Sequence, residues 1–130
     1  MTLQPASGAR DLNPQQVKKN HLISSKLSTL YQLWGYERIS PPHIERLDTL
    51  MAAGGISNNE ILKIVSDEAL GLRPEITASI VRAASTRFNE YERPLRFWST
   101  GTSFKCNRNI DGGIDIEESF QSGVELIGTK

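Results

Sequence analysis

Phe120-Gln121-Ser122-Gly123-Val124-Glu125-Leu126-Ile127 alternates with a period of two. Phe120, Ser122, Val124 and Leu126 fall on one side, and Gln121, Gly123, Glu125 and Ile127 on the other, as in a β-strand whose two faces meet different surroundings. Upstream, Arg96 to Phe104 has strand composition, with Phe97, Trp98, Thr100 and Thr102. The segment between, residues 107–117, contains Gly112-Gly113 and reads as a loop. Two strands around such a loop predict an antiparallel hairpin.

Before the hairpin the period changes. Residues 1–12 read as an irregular arm broken at Gly8 and Asp11. Asn13-Pro14 is a helix start, because Asn accepts from free N–H groups and Pro suits the first helical position. Val17, Ile23, Leu27, Leu30, Tyr31 and Trp34 largely follow helical spacing, and Gly35 supplies the stop, so a long amphipathic helix is expected. Tyr36 to Ser40 reads as a short strand ended by Pro41-Pro42, since a proline pair removes two ladder donors. A short helix around Arg46 to Ala52 closes at Gly54-Gly55, and residues 57–65 suggest another helical turn. Ala69 to Leu72 reads as a strand entering Arg73-Pro74, and Ile76, Ile80, Val81 and Ala84 mark a second sizeable helix to about Phe88. Helices followed by an antiparallel sheet define an α+β domain over residues 1–130, without internal repeats. A sheet ending at the last residue would expose an unpaired edge, so the chain is expected to be the amino-terminal part of a longer protein.

Composition narrows the function. Fifteen basic and fifteen acidic residues cancel among 130, which argues against a general nucleic-acid or membrane-surface binder. Met1 to Pro14 holds no apolar run after a basic stretch, and no segment approaches the roughly 20 apolar residues of a membrane span, so a cytoplasmic protein is expected. One cysteine, Cys106, excludes an internal disulfide, and two distant histidines, His21 and His43, give a metal site little support. No cofactor is expected.

Two segments carry chemistry. Gln121 and Glu125 point to one strand face, roughly 13 Å apart at about 3.3 Å per residue, with Gly123 between them. A glycine inside a strand permits close approach of a ligand, so the segment describes a floor with an amide at one end and a carboxylate at the other. That suits a small zwitterion, although a solvated polar face has the same residues. Glu75 and Thr77 sit where a strand becomes a helix, poised to enter a pocket or simply to cap the helix, Thr77 by its hydroxyl and Glu75 by its charge.

Together these segments resemble a known family. Gly35-Tyr36-Glu37-Arg38-Ile39-Ser40-Pro41-Pro42-His43-Ile44-Glu45 is similar to the first motif of class II aminoacyl-tRNA synthetases, which implies dimer formation around Gly35, Tyr36 and Pro42. Leu72-Arg73-Pro74-Glu75-Ile76-Thr77-Ala78 closely resembles the Leu-Arg-Pro-Glu-Gly-Thr-Ala segment of histidyl-tRNA synthetases, and Phe120 to Gly128 the distal strand of their second motif. The resemblance implies an incomplete class II synthetase-like antiparallel sheet flanked by helices, and a histidine pocket made by Glu75, Thr77, Gln121 and Glu125.

The departures from that family point away from catalysis. Where the synthetases read Phe-Arg-x-Glu, this chain has Phe104-Lys105-Cys106-Asn107. Lysine lacks the planar fork that grips phosphate and carboxylate together, and Asn107 lacks the charge of a carboxylate. Arg108 matches a different family position and is no replacement. Asp111, Asp115, Glu117 and Glu118 would repel ATP and the end of a tRNA. Lys105 and Asn107 therefore mark a degenerate nucleotide site, and no catalytic residue is expected. A retained amino-acid pocket beside such a site is similar to the regulatory subunits of ATP phosphoribosyltransferase, synthetase paralogues that the chain also resembles at Leu3 to Leu12. That resemblance implies a non-catalytic subunit that binds histidine as an effector. Its expected partner is the short-form catalytic subunit, with a homodimer inside a hetero-oligomer. Two alternatives stay open: a fragment of an active histidyl-tRNA synthetase, and a scaffold that uses the fold only for association.

Overall fold

The first helix begins and ends on signals local to the chain. In the computed structural model, which describes residues 3–52 and 54–129, α1 spans Pro14–Leu33. The Asn13 side chain accepts from the Gln16 N–H at 2.9 Å while the Gln16 side chain accepts from the Asn13 N–H at 2.9 Å, a reciprocal capping box. At the other end Gly35 takes φ +79°, the Tyr36 N–H donates to the Tyr31 carbonyl, and the Gly35 N–H donates to that of Gln32, both at 3.0 Å. This pair of bonds satisfies carbonyls that the helix leaves free. The expected apolar stripe, however, is not covered. No α1 residue is buried, and Val17, Leu22, Ile23, Leu30 and Leu33 are exposed, as is Trp34 beyond it. The helix meets the sheet through Tyr31, whose ring lies 5.5 Å from that of Trp98 and whose hydroxyl is 3.1 Å from Ser122 Oγ.

Beyond Gly35 the chain builds two three-stranded sheets. β1 (Glu37–Arg38) runs parallel to β5 (Leu95–Arg108), which pairs antiparallel with β6 (Ile114–Ile127). β1 is shorter than the expected Tyr36 to Ser40 and stops at Arg38, before the prolines at 41 and 42, and the chain crosses into the second sheet. There β2 (Ile44–Arg46), β4 (Leu70–Leu72) and β3 (Lys63–Ile64) lie side by side, antiparallel, with β4 central. Among the described residues the other α-helices are α2 (Leu47–Ala52) and α3 (Thr77–Ser85). The fold is α+β with helices against largely antiparallel sheet, and β1 adds one parallel pairing.

Two further local expectations are corrected, and one strand is new. Residues 57–65 form a 3₁₀ turn, Asn58–Glu60, followed by β3 rather than more helix, because Lys63 and Ile64 are recruited by β4. β2, which follows directly after the proline pair, is a strand that the sequence pattern does not announce. The loop 107–117 contracts to a turn at 109–113, where the Gly112 N–H donates to the Asn109 carbonyl at 3.0 Å and Gly112 takes φ +82°. Both hairpin strands run on for 14 residues to reach it. Asp115, Glu117 and Glu118 are consequently strand residues, and only Asp111 occupies the turn. Acidic side chains disfavour strands, but Ile114 and Ile116 keep the alternation and the ladder overrides the local preference. Residues 3–12 form no helix or strand, as expected of the arm, whose first two residues lie outside those described.

The core explains how the site is placed. Ile76, Ile80 and Ala84 of the α3 region pack on Leu95 and Phe97 of β5, with Ile39, Phe88 and Ile127 around them. Ile127 shares its strand face with Glu125, Gly123 and Gln121, so α3 lies on that face and brings its first turn toward these residues. Ile80, 1% exposed, is at the centre of this contact. Replacing it with alanine is expected to cost about 2–5 kcal/mol, measured by urea unfolding with unchanged slope; a loss below about 0.5 kcal/mol would mean that α3 is not held by this core.

Candidate functional site

The corner that leads into α3 is shaped by its own acid. Glu75 accepts from the Thr77 N–H at 2.6 Å and from the Ala78 N–H at 3.0 Å, satisfying two of the donors that open the helix. The sequence allowed the Thr77 hydroxyl to do this; the capping falls to Glu75 instead. The Thr77 hydroxyl is thereby free to donate across to Glu125 Oε1 at 2.7 Å, bridging α3 and β6 over 48 residues of sequence.

The same four residues line one open cavity of about 420 Å³. Glu75 and Thr77 form one wall; Gln121, Gly123 and Glu125 of β6 form the other. A Cβ added at Gly123 would meet no atom within 4 Å, so nothing in the protein requires a glycine there, and a side chain would project into open space. Among the described residues the Gln121 amide has no hydrogen-bond partner. Each carboxylate retains acceptor capacity beyond the bonds it makes. The cavity lining includes no lysine or arginine. Two carboxylates and an amide without a cation present a negative, hydrogen-bonding surface that complements an ammonium or imidazole N–H. Glu75 and Thr77 also border a larger, more apolar cavity of about 710 Å³ with Gly54, Ile56 and Val81; its cation, Arg82, is ion-paired with Glu45 at 2.8 Å.

The hairpin register extends this face outward. Gln121 lies opposite Gly101, Glu117 opposite Lys105 and Asp115 opposite Asn107, all on the side of the sheet that carries Glu125. Lys105 and Asn107 do not line the cavity; Glu117 is four residues from Gln121, about 13 Å along the strand. Asn107 donates from its amide to Glu117 Oε2 at 3.0 Å, and Ser119 donates to Glu117 Oε1 at 3.4 Å. Asp115 accepts from the Ser7 hydroxyl, and the Ile116 N–H donates to the Ser7 carbonyl at 2.7 Å, so the arm docks onto β6 here. Gly8 makes that docking possible: a Cβ would stand 2.4 Å from the Ile116 carbonyl oxygen. Arg108 points to the opposite face and lines a different cavity, with Cys106 and Ile116. The outer half of the face thus joins one lysine to two carboxylates, one of them held in place by Asn107.

A helix-flanked hairpin with an acid-capped corner over its distal strand is the architecture of a class II aminoacyl-tRNA synthetase domain. Residues 8–130 match the histidyl-tRNA synthetase family, and the chain belongs to it. It is 94% identical over all 130 residues to an ATP phosphoribosyltransferase regulatory subunit of Prochlorococcus marinus (strain NATL1A), and 57% identical over 130 residues to the protein of that name from Synechococcus sp. (strain WH7803). In both cases it spans 33% of the relative's length. Among solved structures, one described as an ATP phosphoribosyltransferase regulatory subunit/histidyl-tRNA synthetase from Bacillus halodurans C superposes with a TM-score of 0.87 at 28% identity, covering 98% of this chain and 33% of that one. No helix among the described residues is long and apolar enough to cross a membrane.

The geometry separates residues that hold the corner from residues that only face the cavity. Glu75→Ala is expected to lower stability by about 0.5–2 kcal/mol through loss of the cap. Gln121→Ala is expected to stay within about 0.5 kcal/mol. Chemical denaturation of the two variants checks the contrast; equal losses would mean that Gln121 has a structural bond the geometry lacks.

Proposed function

We propose that this chain forms the histidine-sensing part of an ATP phosphoribosyltransferase regulatory subunit that binds the amino acid without activating it. The carrying observation is the asymmetry of one strand face. Its inner end is an open, cation-free cavity lined by Glu75, Thr77, Gln121 and Glu125, and its outer end sets Glu117 against Lys105. Histidine's ammonium and imidazole N–H groups are complementary to the inner end. Its carboxylate finds no cation among the lining residues, so a further part of the whole protein supplies that contact. At the outer end a triphosphate would meet carboxylates and one point charge in place of a bidentate arginine. Loss of such a donor costs about 2.7–4 kcal/mol of transition-state stabilisation in enzymes that rely on one.

The relatives' shared name supports a regulatory subunit that acts with a catalytic partner, and the family resemblance carries the reading further. The whole protein acts with the short-form catalytic subunit in the first step of histidine synthesis, in the cytoplasm, and histidine shifts the complex by binding one of its states better than another. Pairing of two copies through α1 and the Gly35–Glu45 segment fits the uncovered apolar side chains of that helix. One observation favours a second reading, an active histidyl-tRNA synthetase: the family that the chain matches carries that name.

Two measurements on the full-length protein separate these. Calorimetric titration is expected to give saturable binding of histidine, and histidine-dependent ATP–pyrophosphate exchange is expected to be absent. Clear exchange would favour the synthetase; no binding by a demonstrably folded protein would leave only an associating scaffold. Gly123→Val adds a sharper check, because a β-branched residue suits a strand better than glycine while its side chain would fill the cavity. Unfolding stability is expected to hold or rise while histidine affinity falls at least tenfold. Wild-type affinity in that variant would move the pocket elsewhere.

A further inference from the structure

Backbone groups from β5 and from the segment between β1 and β2 converge on Arg73. Its Nε donates to the Thr102 carbonyl at 2.9 Å, and its Nη1 donates to the Pro41 carbonyl at 3.1 Å and, at 3.5 Å, to that of Pro42. Its own N–H donates to the His43 carbonyl and its carbonyl accepts from the Phe104 N–H, both at 2.9 Å. The residue is 2% exposed, and among the described residues it makes no ion pair. Burial lowers its pKa below the ordinary arginine value, an effect partly opposed by the charge of Glu45. A guanidinium taken from water without a carboxylate partner is tolerated when its donors are used, and here main-chain carbonyls accept from Nε and Nη1.

The surroundings are shaped to admit it. A Cβ at Gly101 would stand 2.3 Å from Nη2, so a side chain at position 101 would require the guanidinium to move from its present place. Gly101 is the register partner of Gln121, and the guanidinium therefore lies against the strand pair that carries the pocket amide. Immediately after Arg73 come Pro74, itself fully buried, and then Glu75 and Thr77. One side chain thus binds the proline turn that follows β1 to the middle of β5, at the residue where the pocket corner begins.

We infer that Arg73 is the positioning residue of the pocket: with Gly101 as its seat, it fixes the corner that presents Glu75 and Thr77 to Gln121 and Glu125. Lysine cannot replace it, because one ammonium cannot reach Thr102 on one side and Pro41 on the other with the fixed fork of a guanidinium. The affinity consequence rests on the histidine pocket proposed above; the positional consequence does not.

The experiment compares Arg73→Met, Arg73→Lys, Gly101→Ala and the Arg73→Met/Gly101→Ala pair in the full-length protein. Histidine affinity is read by calorimetry, and local order by amide hydrogen exchange at Thr77, Ala78 and Phe104. Arg73→Met is expected to weaken histidine at least tenfold and to speed exchange at those three amides at least tenfold, with the amides of α1 unchanged. Gly101→Ala is expected to match it, and to add nothing in the Arg73→Met background, where no guanidinium remains to be displaced. Arg73→Lys is expected to fall between wild type and Arg73→Met. A folded Arg73→Met protein with wild-type exchange at Thr77 and Ala78 overturns the inference, as does full additivity of the two substitutions. If the wild-type protein binds no histidine, the pocket reading fails and the exchange data alone decide the role of Arg73. If Arg73→Met does not fold, Arg73→Lys and Gly101→Ala decide it in the same way.

Discussion

The register of the β5–β6 ladder is the constraint from which the rest of the molecule follows. Fourteen residues of each strand are paired from Leu95 opposite Ile127 to Arg108 opposite Ile114. A slip of one residue would turn every side chain to the other face. Gln121, Gly123 and Glu125 would leave the α3 side, Ile127 would leave the core, and Thr77 would lose its carboxylate. The apolar contact of Ile76, Ile80 and Ala84 with Leu95 and Phe97 on one face, and the burial of Trp98 against Tyr31 on the other, oppose that slip. Packing around α3 therefore sets which residues of β6 face the cavity.

The same ladder explains why the two halves of the face have different characters. Near α3 the strands are covered, and polar residues that remain there must either bond or face a cavity. Thr77 and Glu125 bond to each other, Glu75 bonds to the helix start, and Gln121 faces the cavity. Farther out the strands are exposed, and charged residues carry little desolvation cost. Nothing in folding opposes Asp115, Glu117 and Glu118 there. Charge at the outer end can change at little cost in stability, whereas the end near Glu125 is tied into the contacts that hold α3.

What could be read from the sequence follows the range of the interaction responsible. Asn13, Pro14 and Gly35 act on their immediate neighbours, and the helix they bound is where they predict it. The alternation of Phe120 to Ile127 is likewise local, and it puts Gln121 and Glu125 on one face without any knowledge of the partner strand. The outer half of β6 was hidden because aspartate and glutamate argue for a loop, although Ile114 and Ile116 already alternate within it. β2 was hidden by its length of three residues behind two prolines. The four pocket positions came from the family resemblance, and their common cavity depends on a tertiary contact. Arg73 lies in a motif whose local pattern gives it no task, since its partners lie about 30 residues away on both sides, at Pro41 and Thr102.

Those distant partners bear on how such a pocket could be regulated. Pro41 and Pro42 belong to the segment between β1 and β2, and α1 leads directly into it through Gly35. The helix itself is held loosely, by Tyr31 against Trp98 and Ser122, while its apolar side chains remain uncovered. Whatever covers them would bear on the chain only a few residues before the carbonyls that Arg73 grips. A displacement of the proline turn would have to be absorbed by the guanidinium or passed to the corner at Glu75, and a close-packed seat at Gly101 leaves little room to absorb it. In the function proposed above, association at the helix and occupancy of the cavity would be joined through one buried cation, a short and continuous physical route between the two.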